Sequence, residues 1–100
     1  MKSLMEVENN CIDHLNIDYM PLHDVVREFS GFEKLVPSEE EFYQSMDFLE
    51  NLIKKHNLKY SFGAGGELID MPLHEFVLWL KNEWRKNAYD DINYGVWLAL

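Results

Sequence analysis

The sequence predicts an α+β fold that is predominantly helical, with about four helices and a small β-hairpin that the C-terminal segment extends. Three observations lead to this prediction. Apolar residues recur at helical spacing in four segments, one segment near residue 60 alternates in polarity, and glycines cluster directly after it. With 100 residues, 47% of them hydrophobic, the chain suits a single compact domain over residues 1–100.

The first two helices are predicted from apolar spacing near the start of the chain. The first covers residues 3–15. The second opens at Pro21, a residue suited to the first turn of a helix, and ends at Gly31. The apolar faces are Leu4, Val7, Cys11 and Leu15 in the first helix, and Leu22, Val25, Val26 and Phe29 in the second.

The third helix has the clearest start and stop signals. Ser38 stands three residues before Glu41, which is the spacing of a capping box. Asn57 follows a basic last turn and is the expected end. The apolar stripe that should face the core is Phe42, Met46, Leu49 and Ile53.

After residue 57 the pattern changes to that of a hairpin. Residues 58–62 alternate between apolar and polar side chains, which predicts a strand. Residues 63–66 contain three glycines and predict a turn, and residues 67–70 are predicted to form the returning strand of the hairpin. A fourth helix is expected to start at Pro72. Leu78 and Trp79 lie off its apolar face, so we expect this helix to be covered on two sides. The residues that should face inward are Leu73, Phe76, Val77, Leu80 and Trp84.

The net charge of −9 lies entirely in the first half of the chain. Residues 1–50 carry twelve acidic side chains against three basic ones, while residues 51–100 carry six of each. Such a surface repels nucleic acid and anionic membranes and attracts basic proteins. We therefore expect a protein partner, with no nucleic acid and no membrane. An acidic surface that serves only solubility stays open as the alternative.

Residues that could support chemistry are few. Cys11 is the only cysteine, which excludes an intramolecular disulfide and a multi-cysteine metal site. Cys11 and His14 could share a helix face, but no second ligand pair with zinc spacing follows, and Cys11 fits the core better. The glycine cluster lacks the lysine and hydroxyl residue of a phosphate loop. We expect no metal, no cofactor, no small-molecule substrate and no enzymatic activity.

The N-terminal residues contain no long apolar run of the kind found in a signal peptide. Together with the lone cysteine, this predicts a cytoplasmic location.

The third helix also presents an outward strip of acidic residues with one tyrosine among them. We call it the acidic ridge, and it consists of Glu40, Tyr43, Asp47 and Glu50. On the second helix, Asp24 and Glu28 are four residues apart and are predicted to face solvent. Tyrosine beside carboxylates suits recognition of a basic partner. These six residues are the predicted partner-binding set.

From Glu41 to the C-terminus, the order of elements resembles a family of small bacterial proteins. The pattern is an aromatic helix (48–53), a glycine-containing hairpin (58–68), a second helix (74–86) and an acidic, aromatic tail (90–97). Some members of this family act as immunity proteins in contact-dependent growth inhibition. The resemblance implies a cytoplasmic inhibitor of an incoming toxin domain, often a nuclease, without catalytic residues of its own. A general acidic interaction module or regulatory subunit remains the alternative.

Overall fold

The computed structural model describes residues 3–30, 38–85 and 95–100. Within them the chain forms four helices and a four-stranded antiparallel sheet, which confirms the predicted α+β, mainly helical class. The helices are α1 (Leu4–Ile17), α2 (Leu22–Ser30), α3 (Glu39–His56) and α4 (Leu73–Arg85). The strands are β1 (Met20–Pro21), β2 (Lys59–Phe62), β3 (Glu67–Leu68) and β4 (Val96–Ala99).

The sheet has the order β1-β4-β2-β3. The predicted hairpin is β2–β3, and β4 pairs antiparallel with β2. The C-terminal segment therefore extends the hairpin, as predicted. β1 was not predicted, because two residues are too few to show alternation. Pro21 is tolerated in this strand because β1 lies at the edge of the sheet.

The glycine cluster forms the predicted turn between β2 and β3. Gly63 and Gly65 have φ values of 81° and 67°, a region that favours glycine. At Gly65 a side chain would also meet the ring of Tyr19, whose hydroxyl oxygen lies 3.0 Å from the Cβ position. The backbone conformation therefore favours glycine at this position, and a side chain there would require the exposed Tyr19 ring to shift.

Both ends of α3 form as the sequence predicts. Ser38 Oγ accepts a hydrogen bond from the Glu41 amide at 3.2 Å, and Glu41 Oε1 accepts one from the Ser38 amide at 3.2 Å. This is a complete capping box. Asn57 ends the helix in the left-handed conformation, with φ of 52°.

The core lies between the helices and the inner face of the sheet. Every member of the predicted α3 stripe is buried. On α4, Phe76, Val77 and Leu80 are buried, whereas the side chain of Trp84 lies outside the described part of the chain. Tyr60 of β2 stacks on Phe76 with 4.0 Å between ring centroids, and its hydroxyl donates to the Met71 carbonyl. This contact fixes α4 against the sheet.

Two details of the helices differ from the prediction. Leu78 is 46% exposed, so α4 is not covered on that side, whereas Trp79 is half-buried against Phe62 and Phe76. In addition, α2 and α4 each begin one residue after the proline that was predicted to open them. The predicted end of α2 at Gly31, residue 86 at the predicted end of the fourth helix, and residues 90–94 of the predicted tail lie outside the described residues.

Replacing Ser38 with alanine removes the hydroxyl that caps α3. We expect a loss of ~1 kcal/mol in the free energy of unfolding, with faster amide exchange at Glu40 and Glu41. Exchange in α4 serves as the internal control. Unchanged exchange in the first turn of α3 would show that the cap does not act in solution.

Leu49 and Leu80 are fully buried on facing helices. We expect Leu49→Ala and Leu80→Ala each to lower the unfolding free energy by ~2–5 kcal/mol in urea denaturation, because each leaves a cavity. Leu68→Ala is the control, since Leu68 is exposed on β3, and it should change stability by ~0.5 kcal/mol or less. Losses under ~1 kcal/mol at both buried sites would contradict this core.

Candidate protein-binding surface

The acidic ridge runs along the flank of α3 that faces α4. Its residues are separated by three, four and three positions, which keeps them on one strip because a helix repeats every ~3.6 residues. Glu40 and Asp47 are exposed, whereas Tyr43 and Glu50 are half-buried. The fold therefore holds these four side chains on one continuous surface.

Lys81 of α4 reaches the centre of the acidic ridge. Its Nζ lies 2.9 Å from Asp47 Oδ1 and 5.7 Å from the centroid of the Tyr43 ring. The Lys81 side chain is only 25% exposed, against 69% for Asp47. At this exposure an ion pair contributes ~1 kcal/mol or less to stability. Its larger effects are to orient Tyr43 and Asp47 and to offset one negative charge of the ridge.

The charges of the two outer carboxylates of the ridge are offset less by neighbouring cations than the charge of Asp47 is. Glu40 accepts a hydrogen bond from Gln44 at 3.4 Å, and this donor is neutral. Glu50 Oε1 lies 3.6 Å from Nδ1 of His74 on α4, a pair that is ionic only when the imidazole is protonated. The negative potential of the ridge therefore comes mainly from Glu40 and Glu50.

Asp24 and Glu28 do not join the acidic ridge. Both are half-buried on α2, and Asp24 Oδ2 lies 4.0 Å from Nδ1 of His14 on α1. The α2 helix contacts α3 through Phe29 and Phe48, with 5.7 Å between ring centroids. Phe48 lies about 140° round α3 from Tyr43, so α2 and the ridge occupy different flanks. The structure thus divides the predicted set into two groups.

A second charged cluster joins the start of α1 to the end of α3. Glu8 Oε2 lies 2.8 Å from Lys55 Nζ and 2.9 Å from His56 Nε2. Hydrogen bonds from Lys55 and His56 hold the pKa of Glu8 below its ordinary value of 4.5. Sequence reasoning missed this cluster, as it missed Lys81, because helical periodicity does not show which side chains of two helices meet.

Glu8 should make stability depend on pH. Its folded-state pKa is lowered, so its contribution is present above the unfolded value of 4.5 and is lost as the pH falls through the folded value. We expect Glu8→Gln to destabilise the protein at pH 7, with a difference from the unmodified protein that shrinks below pH ~4. Urea denaturation between pH 3 and 7 measures this. Glu6→Gln, an exposed change on the same helix, is the control and should change stability at pH 7 by ~0.5 kcal/mol or less. A Glu8→Gln difference that stays constant with pH would contradict the assignment.

Three further features of the described ranges bear on metal binding, thiol chemistry and membrane insertion. No group of three or more histidine, cysteine or carboxylate side chains there is arranged to hold a metal ion. Cys11 is fully buried in the core, as its place on the apolar face of α1 predicted. None of the helices in residues 3–30 and 38–85 is long and apolar enough to cross a membrane.

Comparison with known proteins adds no relative. No family model matches the chain, and no curated protein and no solved structure is significantly similar to it.

Proposed function

We propose that the protein is an immunity protein, which binds and neutralises a basic toxin domain of a contact-dependent growth inhibition system in the cytoplasm. The observation that carries the proposal is the acidic ridge, an ordered and accessible strip in the half of the chain that holds the whole net charge of −9. The family resemblance of residues 41–100 supports the toxin as the class of partner.

A nuclease is the toxin that this surface suits best. A protein that holds RNA or DNA carries basic side chains for the phosphates. Glu40 and Glu50 present negative charge at separate points of the ridge, and α3 carries no basic residue before Lys54. Long-range attraction between such surfaces accelerates encounter and positions the partner.

Lys81 supports the proposal through pre-organisation. By contacting Asp47 and the Tyr43 ring, it holds both side chains before a partner arrives. Side chains that are already ordered lose less conformational entropy on binding. Tyr43→Ala should therefore act mainly by raising the dissociation rate of the complex.

The toxin assignment is tested by co-expressing the protein with the product of the gene directly upstream. We expect a complex in pull-down and protection in a growth assay. A complex without protection would favour the general acidic interaction module. Absence of both would overturn the immunity function.

The ridge itself is tested by reversing one exposed charge. Glu40→Lys should slow association with the toxin domain by ~10-fold at low salt, because it opposes a basic partner without breaking an ion pair of the ridge. Glu67→Lys is the matched control: it makes the same charge change at an exposed position on β3. The difference between the two variants should shrink as the Debye length falls from ~10 Å at 0.1 M salt to ~3 Å at 1 M. Equal effects of the two variants would discard the ridge as the interface.

A further inference from the structure

Two aromatic rings meet at a right angle on the surface where α4 packs against β2. Phe62 of β2 and Trp79 of α4 have ring centroids 6.1 Å apart and an interplanar angle of 85°. Phe62 is 50% exposed and Trp79 is half-buried, so both rings reach solvent. We call this pair the aromatic corner.

The aromatic corner is the outer end of a series of rings that holds α4 on the sheet. Phe76 is fully buried, stacks on Tyr60 at 4.0 Å between centroids, and lies 6.3 Å from the Trp79 ring at an angle of 24°. Tyr60 and Phe62 are two residues apart on β2, so they share one face of the sheet. Because the inner rings belong to the core, the corner is ordered before any ligand arrives, which lowers the entropy lost on binding.

A carboxylate flanks each ring of the aromatic corner. Glu67 pairs with Phe62 across β2 and β3, which places the two side chains beside each other. Glu75 precedes Trp79 by four residues, and long helical side chains lean toward the preceding turn, so Trp79 leans toward Glu75. Both glutamates are exposed, and neither has an ion-pair partner within residues 3–30, 38–85 and 95–100.

The nearest lysines of β2 and α4 face away from the aromatic corner. Lys59 lies three residues before Phe62, which puts it on the opposite face of the strand. Lys81 is about 200° round α4 from Trp79 and contacts Asp47 of the acidic ridge. Neither lysine therefore offsets the charge beside the corner. The corner and the acidic ridge also lie on different sides of α4.

We infer that the aromatic corner binds the guanidinium group of an arginine in an exposed segment of another protein. Cations are attracted to aromatic faces, most strongly to that of tryptophan. A guanidinium is planar, so it stacks on a ring while its N–H groups donate to carboxylates such as those of Glu67 and Glu75. An ammonium group is a compact point charge and cannot stack in this way. The inference is independent of the proposed function, because this surface is separate from the acidic ridge.

A matched pair of peptides tests the site. The probe is a short peptide with one arginine between glycines, and in its control citrulline replaces the arginine, which keeps the shape and removes the charge. In an NMR titration, we expect the arginine peptide to shift the indole N–H of Trp79 and the amides of Phe62 and Glu67 saturably. The citrulline peptide should leave them nearly unchanged. Equal shifts with the two peptides, or shifts confined to α3, would overturn the inference.

Variants of the protein separate the charge from the rings. Glu75→Gln should weaken binding of the arginine peptide by ~3-fold, because it removes one exposed charge at the corner. Glu40→Gln is the control, since it removes the same charge on the acidic ridge, and it should leave the affinity nearly unchanged. Trp79→Leu should weaken binding by ~5-fold, read from the Glu67 amide. Equal affinities of the Glu75→Gln and Glu40→Gln variants would overturn the inference even if Trp79→Leu failed to fold.

Discussion

The burial of one face of α3 is the constraint on which the rest of the structure depends. This 18-residue helix has its apolar stripe in the core, with α2 in contact through Phe29 and Phe48 and with α4 in contact through Lys81 and His74. A helix packed in this way has one direction left that faces outward. The capping box at Ser38 and the left-handed Asn57 fix where it starts and ends.

This packing also determines how the acidic charge is distributed. A net charge of −9 on a small domain opposes compaction through self-repulsion. Basic groups of the second half of the chain offset it at the joints between helices: Lys81 meets Asp47, and Lys55 with His56 meets Glu8. The carboxylates of Glu8 and Asp47 are therefore paired with basic groups. Among the described residues, Glu40 instead accepts a hydrogen bond from a neutral donor, Gln44, and its charge is available for long-range attraction.

Most of the local structure could be predicted from the sequence because the signals for helices, helix ends and hairpins lie in short stretches of residues. Periodicity located the four helices, the Ser38–Glu41 spacing located one helix start, and alternation followed by glycines located the hairpin. The way in which the helices and strands pack against one another could not be predicted from such signals. Periodicity gives the direction of a side chain about its own helix axis, but it does not give the register of two helices.

That distinction explains what was missed in the candidate site. Nothing in the spacing indicated that Lys81 reaches Asp47, or that Asp24 and Glu28 lie on a different flank from the acidic ridge. The exposure of Leu4 was missed for a related reason: Leu4 fits the apolar face of α1, and only the packed structure shows that the core ends at Val7.

We propose that the acidic ridge on α3 is where a basic toxin domain binds. Hydrogen exchange of the protein with and without the upstream toxin domain tests it most directly, because protection reports which backbone segments a partner stabilises or covers. We expect added protection in α3, with β3 unchanged. Protection concentrated in β3 and the 63–66 turn, with α3 unaffected, would contradict it.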